Sequence, residues 1–273
     1  MSIFQSIVLG IVQGLTEFLP ISSTAHLRIV PAFLGWEDPG AAFTAVTQLG
    51  TMAAVLLYFR EDLWRIARAW LRGLRDPAAR RERDSRMGWY IVLGTIPIGV
   101  FGLIFRHEIE SGARDLYLIA TALIVMGLLL LVAERVSTRE RDMDALTTRD
   151  GVAMGLAQAL ALVPGVSRSG VTITTGLFLG LDRTAAARFS FLLSVPAVVL
   201  SGAFELRDFV GEGGDSTGVP GLVVATLLAF AVGYASIAFL LRFLASHSTY
   251  VFVAYRVVLG CAVLGLVAAG VIS

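Results

Sequence analysis

Lysine is absent from this chain of 273 residues, and all 22 basic residues are arginine. We take this absence as a composition bias without mechanistic weight. Charge of either sign is also sparse, because 16% of the residues are charged, against about a quarter in a soluble domain. Hydrophobic residues reach 56% and the mean hydropathy is +0.77. The sequence therefore predicts an integral membrane protein.

Cysteine occurs only once, at Cys261 in the last apolar run. No disulfide can close within the chain, no thiolate metal site can form, and we expect Cys261 to be a small buried hydrophobe. The formal net charge of +1 gives no overall field that would attract nucleic acid. No basic residue precedes the first apolar stretch, so we expect no cleaved signal peptide.

Six long apolar runs dominate the chain. They cover about residues 43–59, 88–105, 116–133, 188–204, 220–241 and 249–271. Each run approaches the ~20 apolar residues that a helix needs to cross ~30 Å of hydrocarbon. We therefore predict an all-α membrane protein with six transmembrane helices.

Two further apolar regions are interrupted by polar residues and by proline or glycine. Their four pieces are residues 3–19 and 21–35 around Pro20, and residues 151–163 and 170–180 around Pro164 and Gly165. Each piece is too short to span the bilayer, so we predict two re-entrant helix pairs, at about 3–35 and 151–180. Irregular backbone at membrane depth is tolerated only where protein or water satisfies its polar groups. We call the interruption around Pro20 the first break and the one around Pro164 and Gly165 the second break. Each break therefore indicates a functional site.

The two interrupted regions match each other at a constant offset of 145 residues. The matched residues include Gly10 with Gly155, Gln13 with Gln158, Ser22 with Ser167, Phe33 to Gly35 with Phe178 to Gly180, and Glu37 with Asp182. Three predicted spans separate the two copies, and an odd number of crossings inverts the second copy. We predict a single membrane domain, 1–273, built as an inverted-topology repeat of residues 1–135 and 151–273.

The connections differ in charge. Residues 60–86 carry nine arginines against five acids and residues 134–150 carry four arginines, so both should be cytoplasmic. Residues 205–219 carry four acids and one arginine, and 106–115 is short and mixed, so both fit the outer side. Both termini then lie outside. The segment from Arg60 to Arg72 suits an amphipathic helix at the cytoplasmic interface.

The first break is unusually polar for a membrane segment. An ionisable group at bilayer depth has an insertion cost of about 2.5–3.5 kcal/mol, so such groups usually mark a site. Ser22 and Ser23 follow a proline, which predicts N-capping of the next helix, and a helix N-terminus also binds phosphate. We leave both roles open.

His26 follows Ser23 by three positions, so the two side chains share one helix face. An imidazole so placed could serve as general base for the hydroxyl or for a water. The alternative is a hydrogen-bonded core histidine. Glu17 could be a ligand of a divalent cation, a proton acceptor, or a charge partner for Arg168.

The second break adds the positive charge that the first one lacks. Arg168 stands between two serines, and its guanidinium can bind phosphate oxygens with a fork of donors. We expect the two breaks to meet and hold a phosphate group. The predicted phosphate contacts are Gln13, Ser22, Ser167, Arg168, Ser169 and Thr172.

Three stretches together resemble the undecaprenyl-diphosphatase family, also called bacitracin-resistance proteins. They run from Gln13 to His26, from Pro164 to Ile173 and from Phe189 to Pro196. The resemblance covers essentially the full chain. It implies a membrane hydrolase that converts undecaprenyl diphosphate to the monophosphate and inorganic phosphate, and so recycles the lipid carrier of cell-wall synthesis.

The resemblance also implies which residues act. By motif position, Glu17, Ser23, His26 and Arg168 correspond to the essential residues of the family, and Glu17 would hold a divalent cation, Mg²⁺ or Ca²⁺. Gln13 stands where the family has Glu or Gln, which leaves one carboxylate and weakens any mechanism that needs two. The nucleophile stays open between Ser23, His26 and a water.

The resemblance places the protein in the bacterial cytoplasmic (inner) membrane, with its site open to the outer, periplasmic face. The partners that we expect are a polyprenyl diphosphate and membrane lipid, without nucleic acid, and the sequence is compatible with a homodimer. A transporter that moves a lipid phosphate between leaflets is the rival interpretation, since inverted repeats with a midplane site are common to transporters.

Overall fold

The computed structural model describes residues 1–105, 115–211 and 218–272, and over those residues the fold is all-helical. The predicted all-α class is confirmed. The helices of the described residues are α1 (Ile3–Phe18), α2 (Ser23–Leu34), α3 (Gly40–Tyr58), α4 (Arg60–Arg75), α5 (Arg83–Ile104), α6 (Leu116–Val136), α7 (Thr148–Ala159), α8 (Arg168–Phe178), α9 (Arg183–Gly211), α10 (Val219–Ser246) and α11 (Tyr250–Ala268).

Each predicted transmembrane run falls on a helix, namely α3, α5, α6, α9, α10 or α11. Over the described residues, all of these except α3 are long and apolar enough to cross a membrane, and α3 contributes the shorter apolar stretch Phe43–Tyr58. Helix α9 continues to Gly211, so part of the predicted connection 205–219 is helical. Residues 212–217 of that connection and residues 106–114 lie outside the described residues.

Helix α4 confirms the predicted amphipathic segment. Ile66, Ala69 and Gly73 are buried along one face, whereas Trp64 is exposed. On the buried side, Trp70 packs edge-on against Trp89 of α5. The helix is therefore attached to the bundle by a narrow apolar stripe, and its arginine-rich face is left outside.

Both predicted breaks are present. Helix α1 ends at Phe18 and α2 begins at Ser23; helix α7 ends at Ala159, and α8 begins at Arg168 after a short 3-10 turn. Helix α7 starts a few residues before the predicted 151, because the side chains of Thr147 and Asp150 form a reciprocal capping box. We refer to α1–α2 and α7–α8 as the interrupted pairs.

Each interrupted pair is seated against a long helix from the other half of the chain. Helix α1 packs against α10, and α7 packs against α5. A Cβ atom on Gly10 would lie 2.5 Å from the carbonyl oxygen of Ala225, and one on Gly155 would lie 2.2 Å from the Cα of Gly94. Small residues allow such close backbone approach between membrane helices. The two glycines are a matched pair of the predicted repeat.

Cys261 is exposed on α11, so the prediction of a buried side chain is wrong. An apolar run in a membrane protein has one side that faces the bundle and one that faces lipid. Hydrophobicity alone does not separate these two sides, because both are apolar.

Candidate active site

The site begins with two serines in the same unusual backbone conformation. Ser22 and Ser167 have φ values of 76° and 71°, which residues with a Cβ atom rarely adopt. Each caps the next helix: the Ser22 hydroxyl accepts from the N–H of Ala25 at 3.4 Å, and the Ser167 hydroxyl accepts from the N–H of Gly170 at 3.1 Å. A strained residue of this kind costs about 1–3 kcal/mol and persists where the surroundings enforce it. Each cap satisfies one first-turn N–H group, and the other N–H groups at the start of α2 and α8 have no acceptor within their own helix.

Glu17 connects the two breaks. Its Oε1 accepts from Nη2 of Arg168 at 2.6 Å, and its Oε2 accepts from the Ser23 hydroxyl at 2.6 Å and from Nε2 of Gln13 at 3.2 Å. The Glu17 and Arg168 side chains are 8% and 15% exposed, so the ion pair is mostly buried. The acid from the first break and the guanidinium from the second therefore meet, as the sequence predicts.

His26 lies beside this group but does not bind Ser23. Its Nδ1 is 2.7 Å from the carbonyl oxygen of Ser22, which can only accept, so Nδ1 carries the proton. Its Nε2 is 2.6 Å from the hydroxyl of Tyr255, and the two rings stack 5.6 Å apart. Both ring nitrogens thus have partners other than Ser23. The group within reach of the Ser23 proton is the Glu17 carboxylate, and the expected Ser23–His26 pair is not formed.

The remaining predicted phosphate contacts divide into two sets. The hydroxyls of Ser167 and Ser169 lie 3.2 Å apart, and Ser169 donates to the carbonyl of Leu19 at 3.0 Å, which ties the second break to the first. Thr172 is fully buried; its hydroxyl bonds the carbonyl of Arg168 within α8 and the hydroxyl of Ser190 on α9. Thr172 therefore packs behind the site, apart from the Glu17 group.

The oxygen atoms of Glu17 and Gln13 suit a hard cation that keeps some of its own water ligands. The carboxamide oxygen of Gln13 is buried and lacks a hydrogen-bond partner among the described residues, next to the Glu17 carboxylate that Gln13 binds through Nε2. The described residues hold no cluster of three or more His, Cys, Asp or Glu side chains that would form a complete metal cage. Mg²⁺ commonly takes one or two protein oxygens and completes its shell with water and phosphate oxygens. Glu17 and Gln13 fit that pattern.

Two residues of α11 were missed by the sequence reasoning. Tyr255 reaches His26, and Arg256 is fully buried between the two breaks. Both lie in the last apolar run, more than 200 residues after the first break in the sequence. An arginine in the middle of an apolar run was the available signal, because ionisable residues at membrane depth usually serve a site.

These features define an all-helical, multi-pass membrane protein whose polar site lies where two interrupted helix pairs meet. The chain belongs to the bacitracin resistance protein family, because residues 6–262 match the family described as bacitracin resistance protein BacA. It is 57% identical to the undecaprenyl-diphosphatase of Mycolicibacterium smegmatis, over 100% of this chain and 99% of that one. It is also 52% identical to the undecaprenyl-diphosphatase of Nocardia farcinica (98% and 97% covered) and 54% identical to that of Thermobifida fusca (100% and 93% covered).

Proposed function

We propose that this protein is a membrane phosphatase that hydrolyses undecaprenyl diphosphate to undecaprenyl phosphate and inorganic phosphate. This reaction returns the lipid carrier to cell-wall synthesis and confers resistance to bacitracin. The observation that carries the proposal is the Glu17 carboxylate, which holds the Ser23 hydroxyl on one oxygen and the Arg168 guanidinium on the other. Family membership and the names of the relatives support the same reaction.

The diphosphate binds at the junction of the breaks, and its isoprenoid tail stays in lipid. Arg168 moves part of its fork from Glu17 to the terminal phosphoryl oxygens, for which a guanidinium has five donors. The first-turn N–H groups of α2 and α8, next to Ser22 and Ser167, face the same anion. Ser169 holds the two breaks together through Leu19.

The chemistry that fits this geometry is attack by Ser23. As its oxygen bonds to the terminal phosphorus, the proton passes to Glu17 and the bond from that phosphorus to the bridging oxygen breaks, which releases undecaprenyl phosphate. Glu17 passes this proton to the departing oxygen of undecaprenyl phosphate and is a carboxylate again. Water then attacks the phosphoserine and loses a proton to Glu17, which returns it to the departing Ser23 oxygen as inorganic phosphate leaves. Neither ring nitrogen of His26 faces Ser23, so His26 has a different role. Its Nε2 is held by the Tyr255 hydroxyl, and its Nδ1 donates to the Ser22 carbonyl and so orients the Ser22 peptide.

Glu17 and the Gln13 carboxamide oxygen would hold a divalent cation, Mg²⁺ or Ca²⁺. When bound, the cation would neutralise charge on the phosphate oxygens and so ease the approach of a nucleophile. Gln13 also donates from Nε2 to Glu17, which fixes the carboxylate that faces both Ser23 and Arg168.

The proposed topology has six transmembrane helices, α3, α5, α6, α9, α10 and α11, and two re-entrant pairs, in inverted repeats of residues 1–135 and 151–273. The shared conformation of Ser22 and Ser167 and the equivalent packing of α1 on α10 and α7 on α5 support the repeat. The arginine-rich connections lie in the cytoplasm, and the site opens to the outer face of the inner membrane. The homodimer stays a prediction.

The test is phosphate release from a polyprenyl diphosphate by purified protein in detergent, with Mg²⁺, with Ca²⁺ and with chelator. We expect metal-dependent release by the wild type and a loss of about 10²–10⁴-fold in Ser23→Ala, the size of a nucleophile or acid–base contribution. Substrate labelled in its terminal phosphate should mark Ser23 after a quench with denaturant at neutral pH, where both phosphoserine and phosphohistidine survive. Absence of release by the wild type would exclude the phosphatase, and a label on His26 would exclude Ser23 as nucleophile.

A further inference from the structure

Arg256 is the largest fully buried side chain in the described part of the chain. It lies in α11, a helix that is otherwise apolar enough to span the membrane. In the described part of the chain, every hydrogen bond of its guanidinium goes to a backbone carbonyl. A buried charge is retained at such depth only when several polar groups compensate it.

Three of the four carbonyls that Arg256 binds belong to the two breaks, and both breaks contribute. Nη1 donates to Pro20 at 2.9 Å, in the first break. Nη2 donates to Gly165 and to Val166, both at 3.0 Å, in the second break. Nε donates to Leu123 of α6 at 3.3 Å. One planar fork therefore joins the two interrupted pairs and anchors them to α6.

These carbonyls need such a donor because the breaks have no helical partners for them. The last carbonyls of a helix lack intrahelical donors, and within a bilayer water does not replace them freely. At the first break, Ser169 satisfies Leu19 and Arg256 satisfies Pro20. The backbone ends of the first pair are thus held by one side chain of the second pair and one of α11.

The position of these contacts relates directly to the site. Pro20 lies between Glu17 and Ser23, and Val166 lies two residues before Arg168. A shift of either break would change the distances from the Glu17 carboxylate and the Ser23 hydroxyl to the Arg168 guanidinium. Gly170 makes room for the fork, because a Cβ atom there would lie 2.7 Å from Nη1 of Arg256.

We propose that Arg256 is a positioning residue of the active site, which holds the two breaks together through their carbonyls and so sets the approach of Glu17 and Ser23 to Arg168. Lysine cannot replace it, because an ammonium presents its donors from one point, whereas the carbonyls surround a planar fork. The kinetic consequence rests on the proposed phosphatase function, but the positioning itself does not.

The first experiment compares hydrogen–deuterium exchange in wild type, Arg256→Lys and the control Arg183→Lys, all purified in detergent. Arg183 also serves a buried group, but its bonds go to the Glu134 carboxylate instead of to either break. In Arg256→Lys we expect exchange in residues 18–24 and 163–169 to rise about tenfold, as for the loss of a charge-assisted hydrogen bond. Arg183→Lys should leave both segments as in the wild type. Unchanged protection in Arg256→Lys would overturn the proposal.

The second experiment measures phosphate release by the monodisperse fraction of each variant. We expect kcat of Arg256→Lys to fall about a hundredfold, the effect of a misplacement of about 1 Å, with KM within about threefold of the wild type. A wild-type kcat would overturn the proposal. If the wild type itself releases no phosphate, the proposed function fails, and the exchange experiment alone decides the positioning.

Gly170→Ala tests the same idea if Arg256→Lys does not fold. This variant keeps the charge, and its Cβ would lie 2.7 Å from Nη1 of Arg256 and 3.0 Å from the Cβ of Ser167, so it should raise exchange in both break segments. Because Ser167 belongs to the second break, the rise in residues 18–24 is the one that reports on Arg256. Wild-type protection in both segments would overturn the proposal. Where both variants fold, the double variant should lose less activity than the two single losses combined, because both changes act on the Arg256 guanidinium. Additive losses would contradict that coupling.

Discussion

Glu17→Gln is the change that most directly tests the proposed chemistry. The amide is nearly the same size, but it cannot take a proton from Ser23 and cannot balance the charge of Arg168. Loss of a general base lowers kcat by about 10²–10⁴-fold, which corresponds to about 2.7–5.4 kcal/mol in the barrier. Because Glu17 is also the only carboxylate of the proposed metal site, the dependence of the residual rate on added Mg²⁺ or Ca²⁺ should weaken sharply.

Stability should change as well. Removing one partner from a buried ion pair costs about 3–5 kcal/mol, because it leaves a buried charge without compensation. The Arg168 and Glu17 side chains are both mostly buried, so the midpoint of thermal unfolding in detergent should fall. A double variant, Glu17→Gln with Arg168→Gln, removes both charges and should recover part of that loss while staying inactive.

The assay is phosphate release and thermal unfolding on the same samples, with Glu61→Gln as the matched control. Glu61 is exposed on α4 and pairs with the exposed Arg60, so its replacement should change neither quantity measurably. A Glu17→Gln protein with more than about a third of the wild-type kcat would refute the assignment of Glu17 as base. An unchanged ion titration would show that Glu17 does not bind the cation.

The other predictions use the same assays. Arg168→Lys keeps the charge but loses the fork, so kcat should fall about 10²–10³-fold, and near-normal turnover would contradict a phosphate-binding role. Tyr255→Phe removes only the hydroxyl on His26 and should lower kcat about fivefold, as for one neutral hydrogen bond; an unchanged kcat would separate Tyr255 from catalysis. Gly155→Val should destabilise the fold by about 1–3 kcal/mol through contact with Gly94, and an unchanged unfolding midpoint would refute that packing.

Much of the architecture can be read from the sequence because it depends on composition and local signals. Long apolar runs predict the long helices, and Pro20 predicts the first break. The match of Ser22 with Ser167 predicts that the two breaks are alike, and the structure gives both residues the same positive φ. Opposite charges among apolar residues predict that Glu17 and Arg168 meet, because a buried charge needs a partner.

The partners of individual polar groups were harder to predict. Helical spacing places Ser23 and His26 on one face, but it does not fix the direction in which each side chain bonds. Tyr255 is remote in sequence, and its hydroxyl competes for the imidazole through a contact that no local pattern reports. Arg256 likewise binds backbone carbonyls, which every residue carries, so the sequence holds no complementary residue type that would point to its partners.

Each interrupted pair packs on a helix from the other half of the chain, and this has a consequence for how the protein is made. Helix α1 is synthesised first, yet the surface on which it rests belongs to α10, about 200 residues later. Native contacts of such long sequence separation form slowly. A nascent chain interrupted before α10 would leave the glycine face of α1 without its neighbour, so neither half can acquire its final structure before nearly the whole protein has entered the membrane.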